Sequence, residues 1–156
     1  MTLQAKVLTV SDGVVSGHRE DRSGQALAES LSRAGFEVVD QLQVADGIAS
    51  VGEAVRRLTT NFEGLVVTTG GTGFSPRDLT PEGTLAVLDR QAPGLAEAMR
   101  GVNPLGRLSR GVAGTMGRSI VINTPGSPGG AVECLEAVVD VLPHALALLA
   151  DQPTSH

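Results

Sequence analysis

The sequence predicts an α/β domain of three layers built on a largely parallel sheet. Short apolar runs such as Leu65-Val66-Val67 alternate with stretches whose apolar residues recur at helical spacing. The apolar runs end in Gly- or Asp-bearing turns, where ligands bind in open parallel sheets. The core composition is aliphatic: apolar residues make up 41% of the 156 residues, yet Phe36, Phe62 and Phe74 are the only aromatics.

Residues Ala5 to Val10 read as the first strand, ending at Ser11-Asp12-Gly13. A polar loop from Val14 to Arg22 follows, and its length marks it as a candidate functional segment. Ser23 is placed to cap a helix over Gly24 to Ala34, which Gly35 can end in a left-handed conformation. Phe36 to Val44 is the second strand. Asp46-Gly47 then precedes a helix whose Ile48, Val51, Val55, Leu58 and Phe62 alternate in spacings of three and four. Leu65 to Val67 has the composition of a strand buried on both faces.

That third strand opens into Thr68-Thr69-Gly70-Gly71-Thr72-Gly73 and closes at Thr80-Pro81-Glu82. Thr80 is expected to cap a helix running to Arg90, with Pro81 at its first position and Glu82 at the positive end of its dipole. A strand, a glycine loop and a helix start together present backbone N–H groups to an anion. Pro93 interrupts, and Gly94 to Arg100 makes another helical piece. Gly101 to Gly117 is Gly-rich and carries Arg107 and Arg110, read as solvated. Arg118 to Asn123 is a fourth strand. It runs into Thr124-Pro125-Gly126-Ser127-Pro128-Gly129-Gly130 and a last helix that Pro143 kinks or restarts. No repeat and no linker is visible, so one domain over residues 1–156 is expected.

Several chemistries are excluded. A P-loop needs a lysine after its glycines, and the only lysine, Lys6, lies in the first strand. A dinucleotide fingerprint would need glycine where Pro76 stands, and Gly126-Ser127-Pro128-Gly129 has the wrong spacing for a nucleophile elbow. His18, His144 and His156 lack metal-ligand spacing, with His144 read as structural or exposed, and the lone Cys134 rules out an internal disulfide. A net charge of −5 without Trp, Tyr or a basic cluster argues against nucleic acid as a partner. No apolar run suits a membrane helix, and a cytoplasmic protein is expected.

Carboxylates, hydroxyls and backbone amides remain, an inventory suited to phosphoryl or nucleotidyl transfer with Mg²⁺. Asp46 and Asp78 are the best placed metal or substrate carboxylates. Plainer readings stay open beside these. Asp46 could cap the helix near Ile48, Asp78 could pair with Arg77 or turn the loop, Asp12 could be a turn residue, and Ser127 could cap the last helix.

The glycine loop with Arg77-Asp78-Leu79-Thr80-Pro81-Glu82 resembles the signature of the molybdopterin-binding domain family, which includes Mog-type adenylyltransferases, MoaB proteins and the gephyrin G domain. Val10-Ser11-Asp12, Asp21-Arg22-Ser23-Gly24, Pro93 to Arg100, Leu108-Ser109-Arg110 and Pro125 to Gly129 extend the likeness over nearly the whole chain. The resemblance implies an α/β/α sandwich on a five-stranded sheet with one antiparallel strand, usually in homotrimers. It also implies Mg²⁺-dependent adenylylation of molybdopterin by ATP, with release of pyrophosphate. Asp46 and Asp78 would be its catalytic, metal-holding carboxylates, and Thr69, Gly70, Gly71, Thr72 and Gly73 its phosphate cradle. Ser11, Asp12, Glu82, Ser109, Pro125, Gly126, Ser127 and Pro128 would complete the substrate pockets. One departure stands out. Where the family often has Val-Pro-Asp followed by Asp or Glu, this chain has Val44-Ala45-Asp46-Gly47, which keeps a pterin-binding protein without adenylyltransferase activity as the alternative.

Overall fold

The computed structural model describes residues 2–154. The chain runs β1 (Leu3–Val10), α1 (Asp12–Val15), α2 (Arg22–Arg33), β2 (Phe36–Val44), α3 (Ile48–Thr59), β3 (Gly64–Thr69) and α4 (Thr80–Leu85). It continues β4 (Arg90–Gln91), α5 (Pro93–Arg100), a 3₁₀ turn (Pro104–Leu108), β5 (Ala113–Met116), β6 (Ser119–Thr124), α6 (Pro128–Val138) and α7 (Leu142–Leu149). The strands form a six-stranded sheet in the order β2-β1-β3-β6-β5-β4. β1, β2, β3 and β6 are mutually parallel, whereas β5 runs antiparallel to both of its neighbours. The mostly parallel sheet with one antiparallel strand is therefore present, and the two-residue β4 is a sixth strand at its edge.

Alternation along the strands sorts the core into two aliphatic layers. Ala5, Val7, Leu65, Val67, Ile120 and Ile122 point to one face, under Leu27 and Leu31 of α2, Met99 of α5, Leu135 of α6 and Leu142 of α7. Leu8, Val10, Val66 and Val121 point to the other, under Val51, Val55 and Leu58 of α3. β3 and β6 are buried at every residue. Lys6 lies at the far end from the strand tips that form the site. Its ammonium donates to Leu58 O at 3.0 Å over the Phe62 ring.

Several element ends differ from the sequence reading, each for a tertiary reason. α2 is capped by Asp21, not Ser23: Asp21 Oδ1 accepts from Gly24 N at 3.0 Å, and both carboxylate oxygens accept from Thr9 Oγ1. A carboxylate can serve these donors together and favours the helix's positive end, whereas Ser23 is buried in the first turn. Thr80 does not cap α4. The position before the helix is Leu79, without a side-chain cap, and the Thr80 hydroxyl donates instead to Gly70 O. α4 ends at Leu85 rather than Arg90, because Asp89 N donates to Thr115 O and Arg90–Gln91 is drawn into β4. The segment from Gly101 to Gly117, read as an irregular basic stretch, holds the 3₁₀ turn and β5. Gly35 does end α2 with φ of +93°. No helix among the described residues is long and apolar enough to cross a membrane.

β1 lies between β2 and β3, so the chain leaves it to opposite sides and opens a crevice at its C-terminal end. The stability of that edge rests on the layer beneath. Leu135→Ala, at a fully buried position of α6, is expected to cost about 2–5 kcal/mol, read as a lower denaturant midpoint at unchanged slope; a loss below about 1 kcal/mol would contradict this packing.

Candidate active site

Two glycine turns meet at the crevice. Thr69, the last residue of β3, donates its hydroxyl to Pro125 O at 2.7 Å, and Gly70 N donates to Thr124 O at 3.2 Å. Gly70 and Gly71 have φ of +96° and +68°, a region L side chains rarely adopt. Space forbids a side chain as well: a Cβ on Gly70 would sit 2.2 Å from Val10 O, and one on Gly71 2.2 Å from Thr80 Oγ1. Thr80 fastens the loop from below, its hydroxyl to Gly70 O at 2.9 Å and its N–H to Gly71 O at 3.0 Å. Asn123 supports both turns from the core. Its amide donates to Thr68 Oγ1 and Thr84 Oγ1, and its carbonyl oxygen accepts from Val112 N.

The carboxylates stand on either side of this loop. Asp46 Oδ1 lies beside Gly71 and Asp78 Oδ2 beside Gly73, each at the place a glycine Cβ would approach within about 3 Å. Asp46 does not cap α3, whose preceding residue Gly47 makes no side-chain cap bond. It is locked instead in a reciprocal pair with Asp12: Asp12 N donates to Asp46 Oδ2 at 2.9 Å, and Asp46 N to Asp12 Oδ1 at 3.1 Å. Burial pushes the Asp46 carboxyl above its ordinary value, and the neighbouring charges of Asp12 and Asp78 add to the rise. Arg77 pairs with Asp12, not with Asp78. Its hydrogen bond holds the Asp12 carboxyl below its ordinary value. Asp78 does turn the loop, since its Oδ2 accepts from Ser75 N at 3.0 Å.

Arg110, read from the sequence as solvated, is a clamp. Its Nε donates to Gly73 O at 2.8 Å, Nη2 to Asp78 O, and Nη1 to Glu82 Oε2 at 2.7 Å. The glycine loop is thus gripped at both ends of its 73–78 segment. Nothing in the spacing of Arg110 pointed to this, because two of its partners are backbone carbonyls and the third, Glu82, is 28 residues away. Arg107 is exposed and folds back on Pro104 O.

A cleft of about 1200 Å³ opens over these groups. Ser11, Asp46, Thr69 to Gly73, Asp78, Ser109 and Pro125 to Pro128 all line it. Asp12 and Glu82 do not, their carboxylates being directed to Arg77 and Arg110. Ser127 also caps α6, accepting from Gly130 N at 3.2 Å, so the plain reading of that residue holds beside its place in the cleft. Residues not named as site candidates also line the cleft: His18, Arg19 and Arg22 from the long loop, with Met99, Arg100 and Leu105. The length of that loop was the signal for the first three, and Arg22, Met99 and Arg100 lie in stretches that carry the family resemblance. His144 is exposed on α7 and lines no part of the cleft.

Among the described residues no three His, Cys, Asp or Glu side chains converge to hold a metal by themselves. Asp46 and Asp78 nonetheless offer hard oxygen donors next to an anion cradle. That donor set fits Mg²⁺, which commonly takes one or two carboxylates and completes its shell with water and substrate phosphate.

A glycine loop at the switch point of a mostly parallel sheet, flanked by two carboxylates, is the arrangement of a ligand-binding α/β protein. The chain belongs to the probable molybdopterin binding domain family, whose model matches residues 6–144. It is 37% identical over 158 residues to the molybdopterin adenylyltransferase of Helicobacter pylori strain J99, covering 95% of this chain and 88% of that protein. Its fold matches the molybdopterin biosynthesis enzyme MoaB of Thermus thermophilus with a TM-score of 0.90 and 45% identity, over 98% and 99% of the two chains. The tungsten cofactor synthesizing protein MoaB of Pyrococcus furiosus matches with a TM-score of 0.83 and 32% identity, over 95% and 97%.

The Glu82–Arg110 pair provides a test of the clamp. Arg110 holds the Glu82 carboxyl below its ordinary value of 4.5. A depressed carboxylate contributes stability that is present above its unfolded-state pKa and lost as pH falls through the folded one. Glu82→Gln is therefore expected to lower Tm by ~2 °C at pH 7, with the deficit shrinking as pH falls from the ordinary carboxylate range through the lower folded-state value of Glu82. A deficit that persists at low pH would show that the pair's charge is not what holds the loop.

Proposed function

We propose that this protein is a molybdopterin adenylyltransferase acting in molybdenum cofactor biosynthesis. The observation that carries the reading is the placement of Asp46 and Asp78 against Gly71 and Gly73, inside a cleft large enough for two phosphorylated substrates. A terminal phosphate oxygen of molybdopterin attacks the α-phosphorus of ATP. The bond from that phosphorus to the bridging oxygen breaks, and pyrophosphate leaves.

The chain's own part in this is positional and electrostatic. The loop from Thr69 to Gly73 would cradle the phosphates, with the N–H groups of Gly71, Thr72 and Gly73 and the start of α6 facing them, since Gly70 N is taken by Thr124 O. Ser109, Pro125, Gly126, Ser127 and Pro128 shape the pockets on one side, and Ser11 closes the floor at the end of β1. The cationic side chains of Arg19, Arg22 and Arg100, which line the cleft, complement the substrates' negative charge. Asp46 and Asp78 would hold Mg²⁺. Bound there, the ion would neutralise charge developing on the phosphoryl oxygens. Burial is the main cause of the raised Asp46 pKa, and the charges of Asp12 and Asp78 add to it, a setting in which a cationic occupant would be favourable. A homotrimer belongs to the same reading, carried by the resemblance.

A second reading, a pterin-binding protein that does not adenylylate, is favoured by Gly47. Its φ of +139° suits glycine and would strain the acidic residue often found there in the family.

Incubation with molybdopterin, ATP and Mg²⁺ decides between them. The expected result is adenylylated molybdopterin with stoichiometric pyrophosphate. Asp78→Asn should lower turnover by about a hundredfold or more while molybdopterin affinity changes little. Tight molybdopterin binding without saturable Mg-ATP binding would establish the second reading instead.

A further inference from the structure

Asp46 and Asp78 reach the cleft from different strand ends. Asp46 follows β2 at the sheet's edge, whereas Asp78 follows the loop after the central β3. Joint use of two such groups requires that the distance between them be fixed, and no backbone ladder connects the segments. The side chain that spans the gap is Arg77. It is the residue immediately before Asp78, and its guanidinium leaves the loop to reach across the cleft rim. Nε donates to Asp12 Oδ2 and Nη2 to Asp12 Oδ1, both at 3.0 Å, and Nη2 also donates to Asp46 O at 3.0 Å.

Asp12 completes the connection. The same Oδ1 that accepts from Arg77 accepts from Asp46 N, while Asp12 N holds Asp46 Oδ2. Arg77 therefore grips the Asp46 residue twice, directly at its carbonyl and through the residue that orients its carboxylate. A planar fork with fixed donors suits this task, and a lysine could supply only a point charge. Neither Arg77 nor Asp12 lines the cleft.

We propose that Arg77 is a positioning residue that couples the two carboxylates, with Asp12 as its relay to Asp46. This rests on the adenylyltransferase reading for its kinetic consequence but not for its structural one. The Arg77 and Asp12 side chains are 63% and 47% exposed, so the link contributes little to global stability. Its effect is local: α3 and α4 stay packed at Gly83 and Ile48 without it, but the loop carrying Asp78 loses its direct side-chain link to the turn carrying Asp46.

The test has a kinetic and a structural arm. In the first, Arg77→Ala and Arg77→Gln lower kcat by about 10- to 100-fold, the loss expected when reacting groups shift by roughly an ångström. KM for ATP stays within about threefold and Tm within ~2 °C. Arg77→Lys recovers only part of the rate, and added guanidinium restores part of the loss in Arg77→Ala. Asp12→Asn combined with Arg77→Gln is no worse than the weaker single variant, because both cut one link. Wild-type kcat in Arg77→Ala, or losses that multiply in the double variant, would overturn the proposal. In the second arm, hydrogen exchange of the substrate-free protein needs no turnover. Arg77→Ala should speed exchange at the Asp12 and Asp46 amides together with those of Ser75 and Asp78. Faster exchange confined to Ser75 and Asp78 would overturn the coupling even if the wild-type protein proves inactive, and an inactive wild type with coupled exchange would sink the adenylyltransferase reading alone.

Discussion

The cleft depends on a close approach of backbone to backbone at Gly70. Its Cα has Val10 O on one side, close enough that a Cβ would lie 2.2 Å away, and Gly126 on the other. Only a residue without a side chain, in a left-handed conformation, lets β1, β3 and the turn after β6 converge there. Hydrogen bonds then fasten what sterics allow. Thr69 ties the two turns together, Thr80 pins the loop to α4, and Asn123 joins β6 to Thr68 and Thr84 beneath. All buried side-chain nitrogen and oxygen atoms among the described residues have partners. Such a network is worth having only when complete, since a half-satisfied one would leave polar groups stranded beneath the sheet.

The electrostatics follow from this placement. The glycine loop has Asp46 beside Gly71 and Asp78 beside Gly73, so two carboxylates border it in the cleft. The two guanidinium groups beside the loop are spent on the protein itself: Arg110 on the carbonyls of Gly73 and Asp78, Arg77 on Asp12 and the carbonyl of Asp46. They shape the loop without neutralising the carboxylates that face the cleft. Arg19, Arg22 and Arg100 also line the cleft, with Arg19 against Gly13, Arg22 facing Glu20 and Arg100 donating to Gly111 O.

Much of this was legible in the residues. The bounds of β2, the start of α3 and the end of α2 at Gly35 follow from patterns local to each segment. Both glycine turns were visible because glycine and proline act on their own backbone. The caps were not, since Ser23 and Thr80 have the right chemistry in the right place. Tertiary partners decided otherwise: Thr9 and Gln43 draw in Asp21, and the Gly70 carbonyl takes the hydroxyl of Thr80. β5 was hidden for a similar reason. Ala113-Gly114-Thr115-Met116 has weak intrinsic strand character and forms by pairing with Ser119–Ile122. The Arg110 clamp was invisible because an arginine that binds carbonyls leaves no periodic or motif signal, and Asp12 and Glu82 looked like ligand contacts because their arginine partners are remote in sequence.

The departure at Gly47 takes on a different meaning in three dimensions. The turn there is held by Ser50, whose hydroxyl donates to Ala45 O at 2.6 Å and Gly47 O at 3.1 Å, with Gly47 in a conformation favouring glycine. An acidic side chain at this position would require a different turn, so its absence is built into the local backbone. Yet Asp46 does not stand alone. Asp12 lies against it and Asp78 is near enough for both charges to raise its pKa. The negative charge that a neighbour in sequence would supply comes here from neighbours in space. Asp12, however, is neutralised in part by Arg77, leaving Asp78 as the less encumbered partner. On the adenylyltransferase reading, the departure leaves Asp46 and Asp78 as the pair proposed to hold the metal, and turnover would then depend on the geometry between those two residues.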